Sequence, residues 1–208
     1  AGFPHVLRTI DGIWRSERAK VVESAGNIVA HLEEIARAGG DTTVDALAVT
    51  SACMDEFTRT YDADRGGFGG APKFPRPSVF RFLALHHYRT GSRDSLSMTD
   101  ASLRAMAHGG MYDHVGGGFH RYAVDAAWRV PHFEKMLYDQ AQLVHAFLDM
   151  YQITHDPFFA GIVTETLGYV LRDLKGREGG LMSAEDADSP RPDNPEEQGE
   201  GAFYAWTR

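Results

Sequence analysis

The sequence predicts an all-α protein assembled from repeated helical hairpins, with a small β-hairpin near its C-terminus. Two observations carry this. Long stretches place apolar residues at steps of three and four, the period of a helix with one buried face. Glycine-rich loops marked by Gly67-Phe68, Gly118-Phe119 and Gly180-Leu181 recur 51 and 62 residues apart, each preceded by two such stretches. One hairpin cannot bury its own apolar face, so hairpins repeated at this length stack into a solenoid or close into a ring. A superhelical scaffold would spread polar residues along a concave face. A ring brings its inter-hairpin loops to one end, which suits loops rich in His, Arg, Asp and Trp.

The first helix is predicted over residues 16–38, where Val21, Ala25, Ile28, Leu32 and Ile35 repeat at helical spacing and Gly39-Gly40 stops the run. Thr42 and Asp45 then form an aspartate variant of a capping box ahead of Leu47, Thr50, Met54, Phe57 and Tyr61. Pro77 opens a third helix ending at Thr90-Gly91, with Val79, Phe82, Leu83 and one of His86 or His87 inward. A fourth starts near Thr99 and carries Leu103, Met106, Ala107 and Gly110 on one face. Gly116-Gly117-Gly118 follows, a run that helix and strand interiors disfavour on backbone entropy. The fifth helix is expected from Pro131 to Ile153, with Leu137, Ala141, Val144, Leu148 and Tyr151 buried and Lys135, Tyr138, Asp139, Gln142 and His145 opposite. Asp156-Pro157 caps and starts the sixth, which runs to Leu174 with Phe159, Val163, Thr166, Leu167 and Val170 inward. Residues 179–184 and 201–206 read as two short strands, and the Pro- and acid-rich segment between them as an exposed loop.

Composition sets bounds on function. The 208 residues, 43% hydrophobic and 24% charged, are those of a globular chain. A formal charge of −8 with no cluster of Lys and Arg argues against a nucleic-acid surface. No apolar run reaches membrane-spanning length, and the N-terminal residues do not read as a signal peptide. Cys53 has no partner in the chain and reads as a small core residue in a reducing, cytoplasmic setting. The chain does not begin with Met, which is expected of a processed piece. Asp62 and Asp64 resemble the start of a calcium loop, but Gly66 stands at the third ligand position and no glutamate follows at the required distance. Gly66-Gly67-Phe68-Gly69 follows a helix and precedes a proline-rich turn, so it is no dinucleotide fingerprint. His86 and His87 are adjacent and face different sides of a helix, so no metal site and no cofactor are expected.

The chemistry concentrates between Tyr112 and Gln142. Here His120, His132, Glu134 and Asp139 are the candidate acid/base groups, with His132, Glu134 and Lys135 expected on the first turn of the fifth helix. Arg121, Tyr122, Asp125, Trp128 and Tyr138 are the candidate substrate-binding side chains, joined by Asp186 and Asp188 next to Glu185. Carboxylates and histidines for proton transfer beside flat aromatic faces are what a pyranose-handling site requires. The competing reading makes Arg121–Asp125 or Glu134–Lys135 ion pairs that lock a loop, with Trp128 and Phe133 in the core.

The strings GGFGGAPKFPRP, GGGFHRYAVDAAWRVPHFEKMLYDQAQL, SAEDADS and EGAFYAW resemble the spermatogenesis-associated, thioredoxin-domain-containing family. That resemblance implies a thioredoxin-like domain followed by an (α/α)₆ toroid similar to six-hairpin glycosidases and to N-acylglucosamine and cellobiose 2-epimerases. On it, residues 1–15 are the tail of the thioredoxin-like domain and 16–208 are three of the six hairpins. Two departures accompany it. No Cys-x-x-Cys occurs, so no disulfide chemistry is assigned. The later hairpins that hold further catalytic histidines in the epimerases have no counterpart, so epimerase activity does not transfer residue by residue. The expectation is a carbohydrate-active enzyme domain, a glycosidase or sugar-epimerase relative, taking a small carbohydrate. Its alternative is a non-catalytic toroid serving as a binding or scaffold module. Open ends of a half ring are expected to be covered by the missing half or by a second copy.

Overall fold

The structure, a computed structural model, describes residues 2–37 and 43–206. The chain divides into two compact units, one ending at Ala52 and the other beginning at Cys53. In the first, α1 (Phe3–Ser16) and α2 (Arg18–Arg37) pack on each other. The sequence reading assigned no helix to the α1 stretch, yet Phe3, Val6, Leu7, Ile10, Ile13 and Trp14 fall at helical spacing along it. Ile28, Leu32 and Ile35 of α2, expected inward, are exposed. The stop at Gly39-Gly40 and the capping role of Thr42 lie outside the described residues. Asp45 is itself the cap of α3 (Ala46–Thr60), its Oδ1 accepting from Leu47 N at 2.9 Å and Ala48 N at 3.2 Å.

In the second unit the end of α3 supplies Met54, Phe57 and Tyr61 to a core shared with α4 (Pro77–Thr90), α5 (Arg93–His108), α6 (Leu137–Thr154) and α7 (Pro157–Tyr169). α4 packs on α5 and α6, and α6 on α7. Helix ends follow their local chemistry. Pro77 begins α4, Gly91 ends it in the left-handed region, and Asp156 caps α7 by accepting from Phe158 N at 2.9 Å. α5 starts at Arg93 rather than near Thr99, because Ser92 caps it by accepting from Ser95 N. A π-helical turn, Val170–Leu174, closes α7.

The largest departure concerns the fifth predicted helix, whose counterpart α6 begins at Leu137 and not at Pro131. Residues 131–136 are extended instead. β1 (Tyr122–Ala123) pairs antiparallel with β2 (Pro131–His132), and β3 (Lys135–Met136) with β4 (Ala184–Glu185). Cross-strand partners absorb the backbone groups that a first helical turn would have left unpaired, so His132, Glu134 and Lys135 do not lie on a helix. The buried face of α6 is Leu143, Ala146, Phe147 and Met150, about 100° from the predicted stripe. Contact with α4 on one side and α7 on the other decides which stripe faces inward. Near the C-terminus the hairpin is β5 (Asp188–Pro190) with β6 (Gln198–Glu200), inside the segment expected to be a loop, while residues 201–204 form turns.

The repeat is visible at atomic detail. Each glycine loop closes on an isolated bridge: Tyr61 with Phe68, Tyr112 with Phe119, Lys175 with Leu181. The first two carry the same lock. Lys73, 1% exposed, places Nζ 2.6 Å from Asp62 Oδ2 and donates to Gly66 O at 2.8 Å. Lys135, also 1% exposed, reaches Asp113 Oδ2 at 2.7 Å and Gly117 O at 3.0 Å. Each lysine thus ties the segment after a loop to the aspartate and the glycine carbonyl that open that loop.

Candidate functional site

Extending 131–136 as strands draws one group of polar side chains together. Arg121 N donates to Glu134 O at 2.8 Å, and the Arg121 guanidinium donates from Nη1 to Glu134 Oε2 at 2.8 Å. His132 Nε2 lies 3.7 Å from that same carboxylate oxygen, and His132 Nδ1 is 2.7 Å from Glu200 Oε1. Asp139, on the first turn of α6, faces the same group: it is 6% exposed and its Oδ2 has no hydrogen-bond partner among the described residues. Arg121 Nε is likewise buried without a partner. Burial pushes the Asp139 carboxyl up to about 7, with Glu134 adding to the rise and the Arg121 charge opposing it. An acid poised near neutrality can release or take a proton at working pH. Tyr138 is exposed beside Arg121.

One wall is aromatic. Phe74 stacks on Tyr122 at 4.7 Å, and Tyr122 on His132 at 4.9 Å. Phe74 is half-exposed, so this ladder offers a ring face to solvent. Neither Phe74 nor Glu200 was singled out from the sequence. Glu200 arrives from 68 residues beyond His132, and nothing in the local sequence announces the pairing.

His120 takes a different place. It is buried against the rings of Phe133 and Tyr204, and its Nδ1 lies 3.1 Å from Phe133 O. A carbonyl only accepts, so Nδ1 carries the proton and Nε2 is the basic nitrogen. Burial, then the nearby Lys135 charge, lowers its pKa to about 4, which keeps the ring neutral.

Four of the sequence-predicted binding residues have structural employment or stand apart. Trp128 is 1% exposed, donates from Nε1 to Arg65 O and Gly66 O, and presses on Gly67, so it is core and presents no face to a sugar. Asp125 accepts from the backbone N–H groups of Ala127, Arg129 and Val130; burial works to raise its pKa, but these bonds hold it below the usual carboxylate range. It ties its own loop and makes no pair with Arg121. Asp186 accepts from Asp188 N in an exposed turn, and both lie on the surface. Lys135 pairs with Asp113 and not with Glu134. Among the described residues no group of three His, Cys, Asp or Glu side chains is placed to hold a metal ion, and no helix is long and apolar enough to cross a membrane.

Helical hairpins packed side by side and joined through repeated glycine loops are part of an αα-toroid. Solved structures share that fold. The cellobiose 2-epimerase of Spirochaeta thermophila matches 67% of this chain and 39% of its own at a TM-score of 0.58 and 19% identity. A sugar epimerase from a ruminal bacterium matches 66% and 40% at 0.56 and 16%. No family model matches the chain. Its close homologues are spermatogenesis-associated proteins 20: the human one is 42% identical over 214 residues and the mouse one 44% over 216, each covering 99% of this chain. The chain spans 27% of the length of either relative.

Proposed function

We propose that this segment contributes an acid/base centre to a carbohydrate-active toroid, with Asp139 as the proton-transferring group. Arg121 holds the charge balance beside it, and Glu134 and His132, backed by Glu200, orient substrate hydroxyls. The observation that carries the reading is Asp139 Oδ2: buried, without a partner among the described residues, and shifted to neutrality within reach of the Arg121 charge. The Phe74–Tyr122 stack supplies the flat face on which the apolar side of a pyranose ring packs. The fold, shared with sugar epimerases, supports the same class.

The test is proton exchange. The intact protein is incubated in D₂O with reducing mono- and disaccharides and with aryl glycosides, and loss of the C2 proton or release of the aglycone is followed by NMR. Exchange or hydrolysis is expected, rising through pH 7 if the carboxylate acts as base, and falling by about 10²-fold or more in Asp139→Asn. Folded protein that turns over none of these sugars overturns the reading. The alternative, a non-catalytic binding or scaffold module, has its support in the Arg121–Glu134 pair and the neutral, carbonyl-bonded His120, both of which also serve a purely structural loop lock.

A further inference from the structure

The two lysine locks are alike in their aspartate and glycine partners but differ in what covers them. At the first, the segment after β1 folds back: Ala126 O accepts a third bond from Lys73 Nζ at 2.9 Å, and the Trp128 ring lies 5.2 Å from the ammonium. All three ammonium protons have an oxygen. At the second, the chain after β4 leaves for the β5–β6 hairpin and returns as Phe203-Tyr204. Lys135 keeps two oxygens and has the rings of Tyr169 at 4.3 Å and Tyr204 at 5.3 Å, with no third acceptor among the described residues. Where Trp128 fills the first junction, the second has a pocket of about 610 Å³, lined by Lys135, Arg172, Asp173, Glu185, Phe203 and Tyr204.

We propose that this pocket binds a neutral polyhydroxylated molecule, a monosaccharide or its alditol, at a place separate from the Asp139 centre and independent of the reading given to it. The volume falls within the ~300–1,000 Å³ of small-molecule sites. The charges select the class. Lys135 is matched by Asp113 and Arg172 by Asp173, which leaves no free cation for an anionic ligand among the described residues that line the pocket. Glu185 accepts from the Tyr169 hydroxyl at 2.7 Å and the Tyr204 hydroxyl at 3.4 Å and has no cationic partner within ion-pair distance among the described residues. It has acceptor capacity to spare beside an ammonium that lacks an acceptor. Adjacent hydroxyls are donor and acceptor at once and meet both needs, whereas an amine would offer Lys135 nothing but a second positive charge. Phe203, 75% exposed, gives the ring face for the ligand's C–H side.

Saturation-transfer NMR on the intact protein tests this with D-glucose, D-mannose and sorbitol at ~1–10 mM, and with inorganic phosphate and ethylamine as charged probes. Transfer to the C–H protons of at least one neutral polyol is expected. Phe203→Ala and Glu185→Gln should each weaken that binding about tenfold, and Asp139→Asn should leave it unchanged. Phe203 is exposed, so its removal leaves the fold intact and keeps the test decisive if Glu185→Gln loosens the junction. Absence of transfer from every polyol, binding of phosphate or ethylamine in their place, or loss of binding on Asp139→Asn with Phe203→Ala silent, would each overturn the proposal. Polyol binding that survives Asp139→Asn but weakens with Phe203→Ala belongs to this pocket, and proton exchange is read at Asp139 alone, so the two readings fail separately.

Discussion

Lys73 and Lys135 occupy the same backbone device, yet one is sealed into the core and the other borders a pocket. The aspartate, the glycine carbonyl and the buried ammonium are common to both. What differs is the covering segment. A tight loop pinned by Asp125 delivers Ala126 O and the Trp128 indole to the first lock, whereas a long excursion through β5 and β6 passes the second and leaves space. The fold repeats its joints and varies what lies over them, so a structural element and a candidate binding site arise from one motif.

The largest expected effect tests whether the locks are equivalent where they should be. Gly67 and Gly118 both have φ near +82°, and a Cβ on them would stand 2.4 Å from the Trp128 ring and 2.5 Å from the Tyr169 ring. Gly67→Val and Gly118→Val should each cost about 4 kcal/mol or more, read by chemical denaturation. A mild effect at either would break the symmetry.

Trp128→Ala comes next, at about 3–5 kcal/mol, because it empties a packed site and strips the cover from Lys73. Lys73→Met should cost about 3 kcal/mol by stranding Asp62, and Lys135→Met no less, since the Asp113 side chain is 10% exposed against 20% for Asp62. A clearly smaller loss in Lys135→Met would mean that the pocket beside it admits water to Asp113, and that the two locks differ in hydration as well as in cover.

The smallest effects are pH-dependent. The folded Asp139 pKa of about 7 lies above its model-peptide value of 3.8, so the native state holds a proton that the unfolded chain has released, and this contribution to stability is lost as pH rises from about 4 to 7. His120 runs the other way: its pKa of about 4 lies below 6.5, so its contribution is complete above 6.5 and lost as pH falls toward 4. Melting curves of Asp139→Asn should therefore gain stability with pH across this window relative to the parent, and those of His120→Phe should show the reverse, each by about 1–2 kcal/mol.

Much of the helical frame was legible in the residues. Pro77, Gly91, Asp156 and Pro157 mark helix ends by conformational rules that act within a few residues, and the Gly-Phe loops announced the repeat. The site was legible in part. Arg121, His132, Glu134 and Asp139 do gather, but Trp128 and Asp125, which looked equally able, are spent on the loop that covers Lys73. Phe74 and Glu200 joined the site unannounced, because each reaches it through contacts far apart in sequence.

The sequence alone determined the ends of α4, the start of α7 and that hairpins repeat, since capping, proline geometry and apolar period are local properties of a chain. Only the tertiary structure decided that residues 131–136 pair as strands, which stripe of α6 is buried, and which of two matching lysines has an open side. Those outcomes turn on partners beyond a helical turn's reach, from Tyr122 with His132 to Lys135 with Glu185 and His132 with Glu200, and their energies exist only once the packed neighbours are in place.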